Sequence, residues 1–260
     1  MSRPPERNAD PVAGDRPSTA CLRAVLGSIS ARDVLDVGCG SGGFTRTLAD
    51  MLRSWRTIVG IDPDKDSIDD ARRLTEHHSV RYRILSADRL PFRDERFDVV
   101  AISNALHHLE DPRVVLAEMR RVCAPGGAIV VQELVNDRLS PQEENGKRLH
   151  HLKARIDRIH GRSHRPTYSR DEVRRLLSSC GVTIEVECEM RDEEPAPPGS
   201  DRVDEAIAFV ADYMEFVHDR PEYPEVRGEA ERIVRALTSK GVATPPRFVL
   251  RGRFGPERDR

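Results

Sequence analysis

The stretch VLDVGCGSGG at residues 34–43 joins a short apolar run to a cluster of glycines. Glycine lets the backbone turn sharply and lets a ligand approach it closely, so this composition is typical of a turn between a strand and a helix. Gly38, Gly40 and Gly43 have the G-x-G-x-x-G spacing of nucleotide-binding loops. The stretch therefore predicts a strand, a ligand-binding turn and the start of a helix.

The sequence around this loop repeats the order strand, turn, helix. Apolar residues recur at helical spacing in 19–29, 44–52 and 65–77. Asp111 and Pro112 form an N-cap and first turn for a further helix, which Pro125-Gly126-Gly127 is expected to end. Predicted strands cover 34–37, 57–61, 80–85, 97–103 and 128–134. Strands alternating with helices predict a doubly wound α/β fold with a mostly parallel sheet.

The second half of the chain has a different pattern. It predicts a helix over 143–160 and a capping box, Ser169 with Glu172, for a helix that ends near Gly181. Residues 182–189 alternate apolar and polar side chains, and 247–254 carries arginines that match the glutamates of 182–189. Opposite charges at cross-strand positions favour an antiparallel hairpin of these two segments.

Three parts of the chain are distinguished on this basis. Residues 1–17, rich in proline and charge, are expected to form a disordered arm. Residues 18–191 with 244–260 are expected to form the ligand-binding domain. Residues 192–243 are expected to be a helical insertion that forms a lid over the acceptor side of the site, because they separate two strands that a short turn would otherwise join.

Composition narrows the class of protein. The 260 residues carry a formal net charge of −2, with 33% charged residues of balanced sign, so no basic surface for nucleic acid is expected. The five scattered cysteines contain no C-x-x-C, which favours free thiols and a cytoplasmic location over a disulfide framework. No apolar stretch is long enough for stable membrane insertion.

Carboxylates near the ends of three successive strands point to the ligand. Asp36 stands two residues before the first glycine, Asp62 follows the second strand, and Asp88 follows the third. A pyrophosphate would be repelled by Asp36, whereas S-adenosylmethionine has no phosphate and carries a sulfonium and an ammonium group. The three carboxylates therefore favour S-adenosylmethionine over NAD, although the glycine loop alone is compatible with both.

Four segments in order resemble the motifs of class I methyltransferases: VLDVGCGSGGFTRTLA, GIDPDKDSIDDAR, SADRLPFRDERFDVVAISNALHHLEDP and LAEMRRVCAPGGAIVVQE. They are most similar to the small-molecule family related to ubiquinone and menaquinone methyltransferases, over about residues 32–134. The resemblance implies a seven-stranded sheet with an antiparallel last hairpin, S-adenosylmethionine as methyl donor and a small-molecule acceptor. The implied cofactor-binding residues are Asp36, Gly38, Cys39, Gly40, Ser41, Gly42, Asp62, Pro63, Asp88, Arg89, Leu90, Ser103, Asn104 and His107.

Candidate catalytic residues lie after the fourth predicted strand and at the end of the fifth. His107 or His108 could act as a base near neutral pH, and Glu133 could face the acceptor. Methyl transfer from a sulfonium depends mainly on alignment, so these side chains could equally serve packing and local hydrogen bonding. His160 and His164 have metal-ligand spacing on a helix, but without a compact third ligand they predict no metal site.

Two further classes of protein stay open at this stage. An NAD-dependent oxidoreductase would share the glycine loop, and a non-catalytic module could bind S-adenosylmethionine without transferring its methyl group. The identity of the acceptor and the oligomeric state do not follow from the sequence.

Overall fold

The computed structural model describes residues 17–191 and 194–255. Its strands form one sheet in the order β3-β2-β1-β4-β5-β7-β6. The first five strands run parallel, and β7 pairs antiparallel with both β5 and β6. The predicted doubly wound sheet with an antiparallel last hairpin is therefore confirmed. The strands are β1 (Asp33–Val37), β2 (Thr57–Asp62), β3 (Val80–Ile84), β4 (Phe97–Ser103), β5 (Cys123–Leu134), β6 (Val182–Met190) and β7 (Arg247–Phe254).

Helices connect these strands and begin at the capping residues that the sequence indicates. Asp111 caps α4 by accepting the Arg113 N–H, and Ser169 forms a capping box with Glu172 at α6. The helices are α1 (Pro17–Leu26), α2 (Gly43–Met51), α3 (Lys65–Leu74), α4 (Pro112–Val122), α5 (Pro141–Ile159), α6 (Arg170–Ser179), α7 (Asp201–Glu215) and α8 (Tyr223–Lys240), with a 3-10 turn at Leu106–His108.

Apolar cores cover both faces of the sheet. On one face Leu35 and Val100 pack with Leu116 of α4 and Val173 of α6. On the other face Val34, Ile58 and Val99 pack with residues of α1 and α2. Burial on both sides explains why β4 and much of β5 are nearly continuous apolar runs.

The β6–β7 hairpin is held by the charges expected from the sequence. Arg253 Nε lies 2.6 Å from Glu185 Oε1, and Arg251 Nε lies 3.6 Å from Glu185 Oε2. Glu185 thus bridges two arginines of the neighbouring strand, as the charge pattern predicts.

A third apolar core lies outside the sheet and joins α5, α7 and α8. Leu152 and Ile156 of α5 pack against Val210 of α7 and Ile233 of α8. Gly146 lets α5 lie directly against the chain after α8, because a Cβ at this position would overlap the Ala243 carbonyl oxygen. The helices of 192–243 are therefore anchored on α5.

Some sequence expectations differ from the structure or lie outside it. β5 begins at Cys123, so Pro125-Gly126-Gly127 lies inside an irregular start of the strand, where the register with β4 shifts. The predicted arm at 1–17 lies outside the described residues except for Pro17, which begins α1. Within the described ranges, no helix is both long and apolar enough to cross a bilayer.

The expectation that the cysteines stay free is wrong for one pair. Cys21 of α1 and Cys188 of β6 are joined by a disulfide across 167 positions of sequence. Their pairing follows from the packing of α1 beside β6, which no local cysteine spacing signals. Cys39, Cys123 and Cys180 are free.

Breaking this disulfide should destabilise the fold, since it closes a long loop in the unfolded chain. Cys21→Ser should lower the free energy of unfolding by about 2–4 kcal/mol, measured by urea titration without reductant. Cys180→Ser, which removes a free thiol, is the matched control. Equal stability of the wild type with and without reductant would show that the bond contributes nothing.

Candidate cofactor and acceptor site

Asp36 is a buried carboxylate within β1, next to the glycine loop. Its Oδ2 accepts a hydrogen bond of 2.6 Å from Thr45 Oγ1. Its Oδ1 is buried and has no hydrogen-bond partner among the described residues. Burial raises the pKa of Asp36 to about 7, the Thr45 hydrogen bond opposes this change, and the nearby charge of Asp62 adds to it. A cationic ligand at Oδ1 would favour the ionised form.

Asp62 holds the glycine loop in shape from the end of β2. Its Oδ2 accepts the Gly40 N–H at 2.9 Å, and its Oδ1 accepts the Asp64 N–H at 2.9 Å. Gly38, Gly40 and Gly42 all have positive φ, and a Cβ at Gly40 would meet nothing within 4 Å. The loop thus presents open space at Gly40, directly beside a carboxylate that could bind hydroxyl groups.

The other loop residues have packing roles in the structure. A Cβ at Gly42 would collide with the Tyr82 hydroxyl, so this position needs glycine. The Ser41 carbonyl accepts from Arg46 Nη1 at 2.9 Å. Cys39 is buried, and burial followed by the charges of Asp36 and Asp62 raises the pKa of its thiol far above the usual value. Cys39 is therefore a poor nucleophile.

The segment after β3 is more exposed than the glycine loop. Asp88 is exposed and accepts from Ser86 Oγ at 2.9 Å. The Leu90 N–H donates to Glu118 Oε2 at 2.7 Å, and its carbonyl accepts from Arg121 Nη2 at 2.8 Å. The backbone of Leu90 therefore has partners within the protein, which leaves Asp88 and Arg89 for the predicted adenine contact. Pro63 is exposed beside Asp62.

Asn104 has a strained backbone at the end of β4. Its φ of 48° lies in the left-handed region, which is uncommon for residues other than glycine, although asparagine adopts it more readily than most. Its N–H donates to the Gln132 carbonyl at 2.8 Å, and its Oδ1 is buried without a partner among the described residues. Ser103 Oγ accepts from Gln132 Nε2 at 2.9 Å. Asn104 Oδ1 thus offers a second buried acceptor at the carboxyl edge of the sheet.

Glu133 and His107 form a buried pair beside this strained turn. Glu133 Oε1 lies 2.6 Å from His107 Nδ1, and Glu133 Oε2 accepts the Leu106 N–H at 3.0 Å. Both side chains are buried, and His107 Nε2 has no partner among the described residues. Glu133 was expected either to face the acceptor or to form local hydrogen bonds, and in the structure it bonds locally to Leu106 and His107.

Three histidines from distant parts of the chain meet at this point. His150 of α5 and His164, between α5 and α6, lie with His107 so that one ligand atom of each is within 4.8 Å of the others. His108 is exposed, with its ring 4.1 Å from that of His164. His160 is not part of the group, since it is exposed and faces the Phe216 carbonyl at 2.8 Å. Sequence spacing singled out His160 with His164 and missed His150.

Burial favours the neutral imidazole for two members of the group, His150 and His164. Burial, followed by the neighbouring His107 and His164, lowers the pKa of His150 to about 2. Burial also lowers the pKa of His164, although its hydrogen bond to Asp157 opposes this effect. Each ring therefore carries one nitrogen lone pair at neutral pH.

Comparison with known proteins agrees with this geometry. Residues 35–131 match the methyltransferase domain family. An O-methyltransferase of Penicillium expansum is 29% identical over 70% of this chain and 62% of its own length. A demethylmenaquinone methyltransferase of Bacillus licheniformis is 41% identical over 38% of this chain and 43% of its own length. The chain thus spans less than two thirds of these relatives.

A solved structure supports the fold over nearly the whole chain. A putative methyltransferase from Bacillus halodurans aligns with 90% of this chain and 96% of its own, at a TM-score of 0.59 and 17% sequence identity. Residues 35–131 are thus similar to the methyltransferase domain family, and the sheet order agrees with the class I S-adenosylmethionine-dependent methyltransferase fold. S-adenosylmethionine is the methyl donor of this class, and the unpartnered Oδ1 atoms of Asp36 and Asn104 fit a ligand that carries hydrogen-bond donors.

Asp36 should make the stability of the ligand-free protein depend on pH. Between its usual pKa of 3.8 and about 7, the folded state keeps a proton that the unfolded state has lost. The free energy of unfolding should therefore fall as pH rises through this interval, by at most about 1.4 kcal/mol per unit for one proton. Urea titrations at several pH values measure this slope.

The contribution of Asp36 is isolated by substitution. Asp36→Asn should remove the slope, and Asp66→Asn, an exposed position in the first turn of α3, should leave it in place. An unchanged slope in Asp36→Asn would mean that Asp36 is ionised throughout the range.

Proposed function

We propose that this chain transfers a methyl group from S-adenosylmethionine to a small organic acceptor. The observation that carries the proposal is the buried, unpartnered Oδ1 of Asp36 beside the open glycine loop. A buried carboxylate at this position attracts a cationic, phosphate-free cofactor and repels a pyrophosphate.

The proposed cofactor contacts are those implied by the resemblance to class I methyltransferases, and the positions of the carboxylates support them. Asp36 Oδ1 accepts from the ammonium group of the methionine part, and Asp62 accepts from the ribose hydroxyls. Asp88 accepts from the adenine amino group. The bound cofactor supplies an electrophilic methyl group on sulfur, and the thioether that leaves needs no proton. The contribution of the chain is then to align donor and acceptor and to keep water away.

One pair of residues is suited to take a proton from an acceptor. Glu133 Oε1 lies 2.6 Å from His107 Nδ1, an arrangement that favours the tautomer with its proton on Nδ1 and its lone pair on Nε2. His107 is therefore the stronger candidate for a base, with Glu133 as the residue that orients it. His108 is exposed and has no such carboxylate partner among the described residues.

The acceptor is proposed to bind between this edge of the sheet and α5. Of the two relatives described above, one is named as a demethylmenaquinone methyltransferase and the other as an O-methyltransferase, and the balanced charge of the chain favours no basic surface for nucleic acid. The helices of 192–243 are proposed to act as a lid through α5, against which they pack.

A cytoplasmic location is part of the proposal. The bonded Cys21–Cys188 pair is the feature that opposes it, because disulfides are rare in a reducing compartment. Thiol titration of the protein after expression in a reducing cytosol tests this point. All five cysteines titrate if the pair is reduced there, and three titrate if Cys21 and Cys188 stay bonded.

An acceptor screen coupled to the release of S-adenosylhomocysteine tests the activity directly. Turnover with a small molecule is the expected result. S-adenosylhomocysteine should also raise the melting temperature, whereas NAD should not. Stabilisation by NAD alone would favour an oxidoreductase, and binding of S-adenosylmethionine with no transfer to any acceptor would favour a non-catalytic module.

Asp62→Ala tests the ribose contact. The variant loses hydrogen bonds to a charged group, so it should bind the cofactor about 10–100-fold more weakly. Calorimetry with S-adenosylhomocysteine measures this change. Asp66→Ala removes an exposed carboxylate in the first turn of α3 and should bind S-adenosylhomocysteine as the wild type does. Wild-type affinity in Asp62→Ala would show that the ribose assignment is wrong.

Leu152→Ala tests the role of the helical insertion. Leu152 of α5 is fully buried against the helices of the insertion. Its truncation should loosen that core and lower the free energy of unfolding by about 2–5 kcal/mol. We expect a lower kcat with little change in the affinity for S-adenosylhomocysteine. Leu74→Ala, the same change at an exposed position of α3, is the control. An unchanged kcat in Leu152→Ala would argue against a lid.

A further inference from the structure

The convergence of His107, His150 and His164 has a geometry that packing alone does not explain. Their ligand atoms lie within 4.8 Å of one another, and His150 Nε2 is 3.2 Å from His164 Nε2. The three residues come from the turn after β4, from α5 and from the loop before α6. Three separate elements therefore present imidazole nitrogens to one point.

Two of these imidazoles are oriented by carboxylates through their other ring nitrogen. His107 Nδ1 lies 2.6 Å from Glu133 Oε1, and His164 Nδ1 lies 2.7 Å from Asp157 Oδ2. A carboxylate keeps the proton on Nδ1 and leaves Nε2 as an acceptor. Metal-binding histidines are commonly oriented by carboxylates in this way.

Hydrogen bonding within the protein satisfies only part of the group. The His150–His164 contact can be one hydrogen bond between neutral rings. His107 Nε2 is buried and has no partner among the described residues. A buried polar atom without a partner is costly, so a ligand that reaches His107 Nε2 would stabilise the group.

We propose that Nε2 of His107, His150 and His164 together bind a divalent transition-metal ion, with Zn²⁺ as the best fit. Zn–N distances of about 2.0–2.1 Å in a tetrahedral site place two ligand nitrogens about 3.3 Å apart. The His150–His164 spacing of 3.2 Å already meets this value. Three imidazoles favour zinc and its neighbours over Mg²⁺ and Ca²⁺, which prefer oxygen ligands.

The surrounding charges suit a dication. Glu133 and Asp157 are buried carboxylates in direct contact with two of the ligands, and they offset the positive charge. The cations near these carboxylates include Lys153 Nζ, at 3.7 Å from Asp157 Oδ2, and Arg162 Nη1, at 3.3 Å from Asp157 Oδ1. Arg158 Nη1 donates to the His164 carbonyl at 2.7 Å. Three histidine ligands leave the fourth position of a tetrahedral ion open, as in catalytic zinc sites.

The open position suggests the class of acceptor, an extension that rests on the proposed function. His107 follows the end of β4, where the donor methyl group is predicted to lie. An acceptor hydroxyl bound to zinc would lose its proton to water more readily. Its oxygen would then form a bond to the methyl carbon while the sulfur–carbon bond breaks, giving a methyl ether and S-adenosylhomocysteine. With zinc bound, His107 is a ligand and does not act as the base.

Measurement of the metal content tests the proposed histidine site without any assay of activity. After chelation and dialysis against Zn²⁺, elemental analysis should find one ion for each wild-type chain. Titration calorimetry should show that His107→Ala, His150→Ala and His164→Ala lose high-affinity binding. Glu133→Gln, which keeps the ligands and alters one orienting carboxylate, should weaken binding about 10–100-fold. His160→Ala, an exposed histidine after the end of α5, should bind as the wild type does.

Cobalt in the wild-type protein gives a readout that does not depend on the folding of any variant. Co²⁺ should produce the visible absorption of a tetrahedral site, and Zn²⁺ should abolish it by displacement. The inference is overturned if the wild type binds neither ion, or if the folded histidine variants bind as tightly as the wild type.

Activity separates this inference from the proposed function. Zinc binding without methyl transfer to any acceptor would contradict the proposed function and leave the metal site intact. Methyl transfer that proceeds equally in zinc-free protein would overturn the role in acceptor activation, and together with absent zinc binding it would overturn the site itself.

Discussion

Parallel strands joined by right-handed crossovers must all end at the same edge of their sheet, and this constraint creates the candidate site. β1, β2, β4 and β5 are adjacent and parallel, so Asp36, Asp62, Asn104 and Glu133 are brought to one line across the molecule. The two cores on the faces of the sheet hold this line in place. Ligand binding at the carboxyl ends of such strands is then a consequence of chain connectivity.

Buried carboxylates give this edge its chemical character. Asp36 and Glu133 are completely buried, and each is partly satisfied by a side chain brought from elsewhere, Thr45 and His107. Burial makes their remaining interactions strong, because a buried polar group gains much from a partner and loses much without one. Asp36 can therefore discriminate between a cationic and an anionic cofactor, and Glu133 can fix the tautomer of His107.

The helical unit of α5, α7 and α8 adds a second wall to the site. Its core is separate from the cores of the sheet, yet α5 also carries His150 into contact with His107. The same helix thus packs its apolar side chains on the insertion and presents an imidazole to the sheet edge. α5 is thus the element that connects the insertion with the histidines at the sheet edge.

Much of this arrangement was predictable from the sequence because it depends on local patterns. The strands at 97–103 and 247–254, the caps at Asp111 and Ser169, and the pairing of Glu185 with Arg253 all follow from periodicity, capping chemistry and charge. The glycine loop and the three aspartates indicated the cofactor for the same reason, since strand ends in a parallel sheet share an edge.

Tertiary structure alone decided the contacts between residues that are far apart in the chain. The Cys21–Cys188 bond, the Glu133–His107 pair and the meeting of His150 and His164 with His107 depend on how α1, α5 and the loop before α6 pack. Sequence spacing drew attention to His160 and His164, which lie near each other in the chain, but the fold turns them apart. The sequence by itself thus determined the line of strand ends at which the donor is proposed to bind, whereas packing between distant segments determined the histidine group.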